Sequence, residues 1–271
     1  MKYNSLVQQI QSKRSFLCVG LDSDRTLLPT HLSRYQDAIF LFNKEIIDAT
    51  APYAVAFKPN TAFYEAEGIN GWEQLSNTVK YIRLHYPNMM IIADAKRGDI
   101  GNTTLRYARA FFEELDVDAV TVSPYMGSDS ILPFLQYQDR WVVVLALTSN
   151  VSAADFELQL LSSGQPLYEA VIEKCCHYGS KEQMMFVVGA TRPQRLAEIR
   201  RVVPDHFLLV PGVGVQGGNL AEVAKYGMNS GCGLLVNLSR DILYADSSLN
   251  FASAASCKAS EIALEMGMLL K

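Results

Sequence analysis

The chain has 271 residues, of which 49% are hydrophobic and 19% charged, enough apolar material to bury a sizeable core and too much for a disordered chain. A formal net charge of -4 leaves no global basic field, which argues against a nucleic acid polymer as partner but not against a local pocket for one phosphate. The five cysteines form no C-x-x-C pair, residues 1–14 lack the apolar stretch of a signal peptide and no apolar run approaches a membrane span, so a reducing, cytoplasmic, membrane-free setting is expected.

Taken in chain order, eight short apolar or β-branched runs are expected to be strands buried on both faces. Residues 16–21 form the first and end at Asp22, followed by helical spacing over 36–49. Residues 54–57 end at Lys58 and precede a helix over 72–85. Residues 89–93 end at Asp94 and Lys96, and Asn102 and Thr103 are placed to cap a helix over 105–115. Residues 119–122 end at Ser123, and the Ser128 to Ser130 stretch after them suits a helix cap as well as a binding loop. Residues 141–147 end at Thr148 and Ser149, and the interval 151–183 has room for a helix and an active-site loop. Residues 184–188 lead to Thr191 and Arg192, with Pro193 in the first turn of a helix over 195–202. Residues 207–210 run into a glycine-rich stretch over 211–218, and residues 233–236 into Asn237 and Arg240.

Eight strand and helix repeats predict an α/β fold, a single (β/α)8 TIM barrel, with a doubly wound open sheet as the alternative. No linker or low-complexity tract divides the chain, so residues 1–271 are read as one domain. In such barrels chemistry sits at the carboxyl ends of the strands, which makes the polar residues there the site inventory.

The most informative stretch is Asp94-Ala95-Lys96-Arg97-Gly98-Asp99. Strand alternation puts Asp94 and Lys96 on the inward face, and Asp99, past a glycine turn, can return a second carboxylate toward the lysine. Alone this reads as a surface ion pair, but three charges at a buried strand end are expensive unless they are used. Two flanking carboxylates favour the charged form of Lys96, making it a donor and electrostatic stabiliser rather than a Schiff-base amine. Lys58 and Asp22 would extend the alternating charges around the rim.

After strand seven, Gly212, Gly214, Gly217 and Gly218 allow backbone N–H groups to converge on an anion, and Arg240 offers a guanidinium from strand eight. This is the usual phosphate position in barrels. His31, His85, His177 and His206 lack metal-ligand spacing and are expected at surfaces or helix ends, while adjacent Cys175 and Cys176 suit packing. No metal site is expected.

The run from Asp94 to Thr103 resembles the signature of orotidine 5'-phosphate decarboxylases, especially their longer microbial branch. Further resemblance lies in Val19-Gly20-Leu21-Asp22, Phe57-Lys58-Pro59-Asn60, Thr121-Val122-Ser123-Pro124-Tyr125, Thr148-Ser149-Asn150, Val188-Gly189-Ala190-Thr191 and Pro211-Gly212-Val213-Gly214. The D-x-K-x-x-D core is shared with related sugar-phosphate decarboxylases and synthases; the surrounding motifs narrow it. Asn237-Leu238-Ser239-Arg240 departs from the G-R-S pattern of many members.

The resemblance implies cofactor-free decarboxylation of a small nucleotide, orotidine 5'-monophosphate, to uridine 5'-monophosphate in pyrimidine biosynthesis. It further implies that Asp22 and Lys58 hold the ribose hydroxyls and the charge network, that Asp94 lies beside the substrate carboxylate, and that Lys96 delivers the proton. Ser149 would contact the pyrimidine, and Gln216 and Arg240, with Gly212, Gly214 and Gly217, would hold the phosphate. Asp99 and Thr103 would reach the neighbouring subunit's substrate, which implies a homodimer with shared sites. Two alternatives stand beside this: a magnesium-dependent sugar-phosphate decarboxylase or aldolase of the same superfamily, and a catalytically silent nucleotide-binding barrel.

Overall fold

The computed structural model describes residues 1–214 and 217–270. Eight strands close into a barrel in sequence order: β1 (Leu17–Leu21), β2 (Ala54–Pro59), β3 (Met90–Arg97), β4 (Ala119–Val122), β5 (Trp141–Leu147), β6 (Met184–Val188), β7 (Phe207–Pro211) and β8 (Leu234–Leu238). Each runs parallel to the next, and β8 returns to β1 through Leu17 opposite Val236 and Val19 opposite Leu238. Every residue of β1, β2, β4, β6 and β8 is buried. Both faces of these strands are covered, one by the barrel interior and one by helices, which is why they are mostly apolar rather than alternating, with Lys58, Thr121 and Asn237 the polar exceptions.

The helical crossovers follow their spacing. Ala38–Thr50 buries Ile39, Phe42, Ile46 and Ile47, and Gly68–His85 buries Leu75, Val79 and Ile82, each a stripe of three- and four-residue steps. Pro193 opens the helix Pro193–Val202, where its missing N–H costs nothing. The expected cap at Asn102 and Thr103 is corrected: the helix Gly101–Arg109 begins after Ile100, so both residues lie in its first turn. Its continuation, Ala110–Glu114, widens to a π turn. Gly127–Ser130 forms a 3-10 turn in which Ser130 Oγ donates to the Gly127 carbonyl at 2.8 Å and is buried, ahead of the helix Leu132–Leu135.

Four strands run past their expected ends. β2 continues through Lys58 and Pro59, β3 through Asp94 to Arg97, β7 through Pro211, and β8 through Asn237 and Leu238. Polar residues that a hydropathy reading places beyond the sheet are therefore held by it, at the mouth of the barrel. Cys18, Cys175 and Cys232 are buried, Cys176 is half-buried and Cys257 exposed. His206 is half-buried; its ring packs 5.6 Å from Phe186 and both ring nitrogens are buried.

Candidate active site

A cleft of about 320 Å³ opens at the carboxyl ends of the strands, lined from β1 to β3 by Asp22, Lys58, Asp94 and Lys96. Lys58 is 4% exposed, and its Nζ lies 3.0 Å from Asp94 Oδ2 and 3.7 Å from Asp22 Oδ1. Burial alone would lower the Lys58 pKa; the two carboxylates outweigh it and hold the ammonium well above its ordinary value. Asp94 mirrors this. Burial would raise it, but Lys58 and Lys96 hold it well below the usual carboxylate range. A lysine with a raised pKa is charged below it and an aspartate with a lowered pKa is charged above it, so this pair stays ionised at neutral pH.

Lys96 Nζ approaches Asp94 Oδ1 at 2.6 Å, completing an alternating chain of Asp22, Lys58, Asp94 and Lys96. The two lysines differ in access. The Lys58 side chain is 5% exposed between its two carboxylates, whereas that of Lys96 is 49% exposed and faces the cleft. Asp94 Oδ1 also accepts from Thr121 Oγ1 at 3.0 Å, and that same hydroxyl accepts the Lys96 amide at 2.8 Å.

The β5 end supplies Thr148, Ser149 and Asn150 to the lining, and β6 supplies Val187. Glu157 holds this loop, its Oε2 accepting the Thr148 amide at 2.7 Å and its Oε1 the Thr148 hydroxyl at 2.9 Å. A Cβ at Gly189 would stand 2.7 Å from the Ser149 nitrogen, so only glycine lets β6 pass this close to Ser149. The β7 and β8 ends supply Gly212, Val213, Asn237, Ser239 and Arg240. Arg240 opens the short helix Arg240–Leu243 directly after Ser239, whose hydroxyl accepts from Asn237 Nδ2 at 3.3 Å.

Gly212, Gly214 and Gly217 have φ of 94°, 85° and 90°, a backbone region that favours glycine. The loop they form is closed on itself. Gly214 N–H donates to the Gly218 carbonyl at 3.1 Å, Gly217 N–H to Gly214 at 2.7 Å and Gly218 N–H to Gly212 at 3.0 Å. The expectation that these amides converge on an anion is corrected for this conformation: three of them are spent within the loop. Gln216 lies outside the described residues.

The profile of the Orotidine 5'-phosphate decarboxylase / HUMPS family matches residues 15–254. The chain belongs to this family. A curated relative from Phocaeicola vulgatus, named orotidine 5'-phosphate decarboxylase, is 55% identical over 270 residues, covering 100% of this chain and 99% of the relative. Among solved structures, Leishmania donovani OMP decarboxylase superposes with a TM-score of 0.83 at 35% identity, covering 99% of each chain. Leishmania donovani UMP synthase gives a TM-score of 0.83 at 37% identity over 97% of this chain, which spans 57% of that longer protein.

Of the residues singled out from the sequence, Asp22, Lys58, Asp94, Lys96, Ser149, Gly212 and Arg240 meet in the cleft of this family member. Gly214 and Gly217 shape the adjoining loop without lining it. Asp99 and Thr103 stand outside. Asp99 Oδ1 accepts the Ile100 amide at 2.8 Å, and Thr103 is exposed on the first turn of Gly101–Arg109. The second carboxylate expected beside Lys96 is therefore not Asp99 of the same chain; among the described residues Asp94 alone pairs with Lys96, and Lys58 is the lysine held by two carboxylates.

Thr191 and Arg192 do not line the cleft, and neither does Ser123. On β4 the lining residue is Thr121, two positions earlier on the same strand face. The bulge in β3 brings the Arg97 carbonyl onto the Ser123 amide at 2.7 Å, which draws the mouth of the barrel one step deeper. Thr121 was legible as an inward polar residue within an apolar strand. Glu157 carried no such signal, because it reaches Thr148 from a loop nine residues on.

Proposed function

We infer that the chain decarboxylates orotidine 5'-monophosphate to uridine 5'-monophosphate, a lyase step of pyrimidine biosynthesis, with Lys96 as the proton donor. The observation that carries this reading is the alternating Asp22, Lys58, Asp94, Lys96 chain, of which one ammonium, that of Lys96, is accessible to the cleft. Loss of carbon dioxide from an sp2 ring carbon leaves an electron pair orthogonal to the π system, so a nearby cation and a proton must serve in place of an electron sink. A unit charge about 4 Å away is worth roughly 4 kcal/mol at an effective dielectric of 20, or about three decades of rate. The rest of the acceleration comes from binding energy at the ribose and phosphate, used to hold the substrate carboxylate beside Asp94.

Asp22 Oδ1 is buried and has no hydrogen-bond partner among the described residues, which suits it to accept a ribose hydroxyl beside Lys58. Ser149, in the cleft lining, is assigned to the pyrimidine. Arg240, with Gly212 at the edge of the cleft and Gln216, is assigned to the phosphate. No metal or organic cofactor is assigned, because the Lys58 ammonium stands between Asp22 and Asp94, where a bridging divalent ion would otherwise sit.

Loss of orotidylate absorbance on mixing with the protein, with uridylate recovered by chromatography, tests this reading. Activity should survive exhaustive EDTA treatment. Absence of turnover overturns the reading, and activity lost to chelation and restored by magnesium points to the metal-dependent branch of the superfamily.

Arg240→Ala should lower kcat/KM for orotidylate by about 10- to 100-fold, the loss expected of one charge-assisted contact, since remote phosphate energy is used in the transition state. Turnover of orotidine, which lacks the phosphate, should be unchanged by the same substitution. Orotidine processed as well as the nucleotide by the native protein would refute the phosphate assignment.

The active species is read as a homodimer of single-domain barrels, residues 1–271, in the cytoplasm, with Asp99 and Thr103 reaching across to the partner's substrate. Both residues lie outside their own cleft, and Ile100, next to Asp99 in the chain, is an apolar residue 55% exposed, as suits contact with a second copy. Among the described residues no helix is long and apolar enough to cross a membrane.

A further inference from the structure

Strand β3 leaves its ladder where the charges sit. Ala93 pairs with Val120 and Arg97 with Val122, so residues 94–96 bulge away from β4, and Lys96 has φ of 45°. A non-glycine residue in this left-handed region is strained, and it persists only where its surroundings over-determine it. The bulge also removes the Lys96 amide from β-ladder pairing. That amide donates instead to Thr121 Oγ1 at 2.8 Å.

A threonine hydroxyl has one proton to give. Having accepted the Lys96 amide, Thr121 spends that proton on Asp94 Oδ1 at 3.0 Å, the oxygen that also takes Lys96 Nζ at 2.6 Å. The contacts close a ring from the Lys96 amide through Thr121 and Asp94 back to the Lys96 ammonium. Arg97 Nη1, donating to the Ala95 carbonyl at 2.9 Å, braces the bulge from the other side. Thr121 is 1% exposed, so solvent is poorly placed to replace its hydroxyl.

We propose that Thr121 is a positioning residue, whose hydroxyl ties the backbone of Lys96 to the carboxylate of Asp94 and so fixes where the ammonium stands over the substrate. It acts through Lys96 and Asp94, and the inference rests on the reading of Lys96 as proton donor. Packing is the competing role for a β-branched residue in a buried strand, and the two roles make opposite demands. Thr121→Val keeps the shape and removes the hydroxyl; Thr121→Ser keeps the hydroxyl and removes a methyl group.

Steady-state kinetics on orotidylate separate the roles. Thr121→Val should lower kcat by about 10- to 100-fold with KM within about threefold of the native value, the pattern of a lost transition-state alignment, whereas Thr121→Ser should keep kcat within about threefold. Native kcat in Thr121→Val, or a fall in Thr121→Ser as deep as that in Thr121→Val, overturns the inference. Should Thr121→Val fail to fold, Thr121→Ala against Thr121→Ser carries the same contrast: native kcat in the alanine variant refutes it, and loss there with retention in serine supports it. A native protein without turnover overturns the functional reading and this inference with it; an active native protein with a hydroxyl-independent rate overturns this inference alone.

Discussion

Lys96→Ala should yield a folded protein whose decarboxylation rate falls by at least about three decades, the value of one unit charge near the reacting carbon in a site of intermediate dielectric. The fold should survive because the Lys96 side chain is 49% exposed and its removal opens no core cavity. Nor does it strand a buried charge. Asp94 keeps Lys58 at 3.0 Å and the Thr121 hydroxyl at 3.0 Å. Thermal melting is expected to stay close to native, while single-turnover assays on orotidylate show the loss in the chemical step. Near-native decarboxylation by this variant would remove Lys96 from its assigned role, and Lys58, clasped by two carboxylates, could not take it over without breaking the network.

The second large effect is a recovery. Asp99→Ala and Lys96→Ala should each be inactive, yet mixing the two proteins should restore turnover. Under two-fold symmetry a mixed dimer places both lesions in one site and leaves the other site wholly native, so about half of its sites work. With equal chains exchanging at random, about half of all dimers are mixed, and specific activity should return to about one quarter of native. The physical basis is the position of Asp99: it lies three residues past Lys96, yet outside its own cleft, with its carboxylate turned onto the Ile100 amide. Differently tagged chains report whether exchange has occurred. Mixed dimers that form and stay as inactive as their parents would place the role of Asp99 within its own chain.

The barrel was legible in the sequence because its strands are buried on both faces, so each announces itself as an apolar run without reference to its neighbours. Strand ends were not. A hydropathy reading stops β2 before Lys58 and β3 before Asp94, yet both residues lie within the sheet, since each charge is compensated by one on an adjoining strand. Local alternation placed Asp94 and Lys96 on one inward face, and they do meet in the cleft, but through a bulge and a left-handed residue that no two-residue period describes. Asp94, Lys96, Lys58 and Asp22 could be named because charge at the end of an apolar strand is costly anywhere in a chain. Which partner each charge takes was decided only by the tertiary structure. Lys58 and Asp94 are 36 positions apart and Thr121 and Asp94 are 27, and closing the barrel brings them within 3.0 Å, whereas Asp99, five positions from Asp94, turns its carboxylate onto the Ile100 amide. Residue type and local period act over a few residues and survive in the sequence, while pair distances across strands exist only once the ladders have set the register.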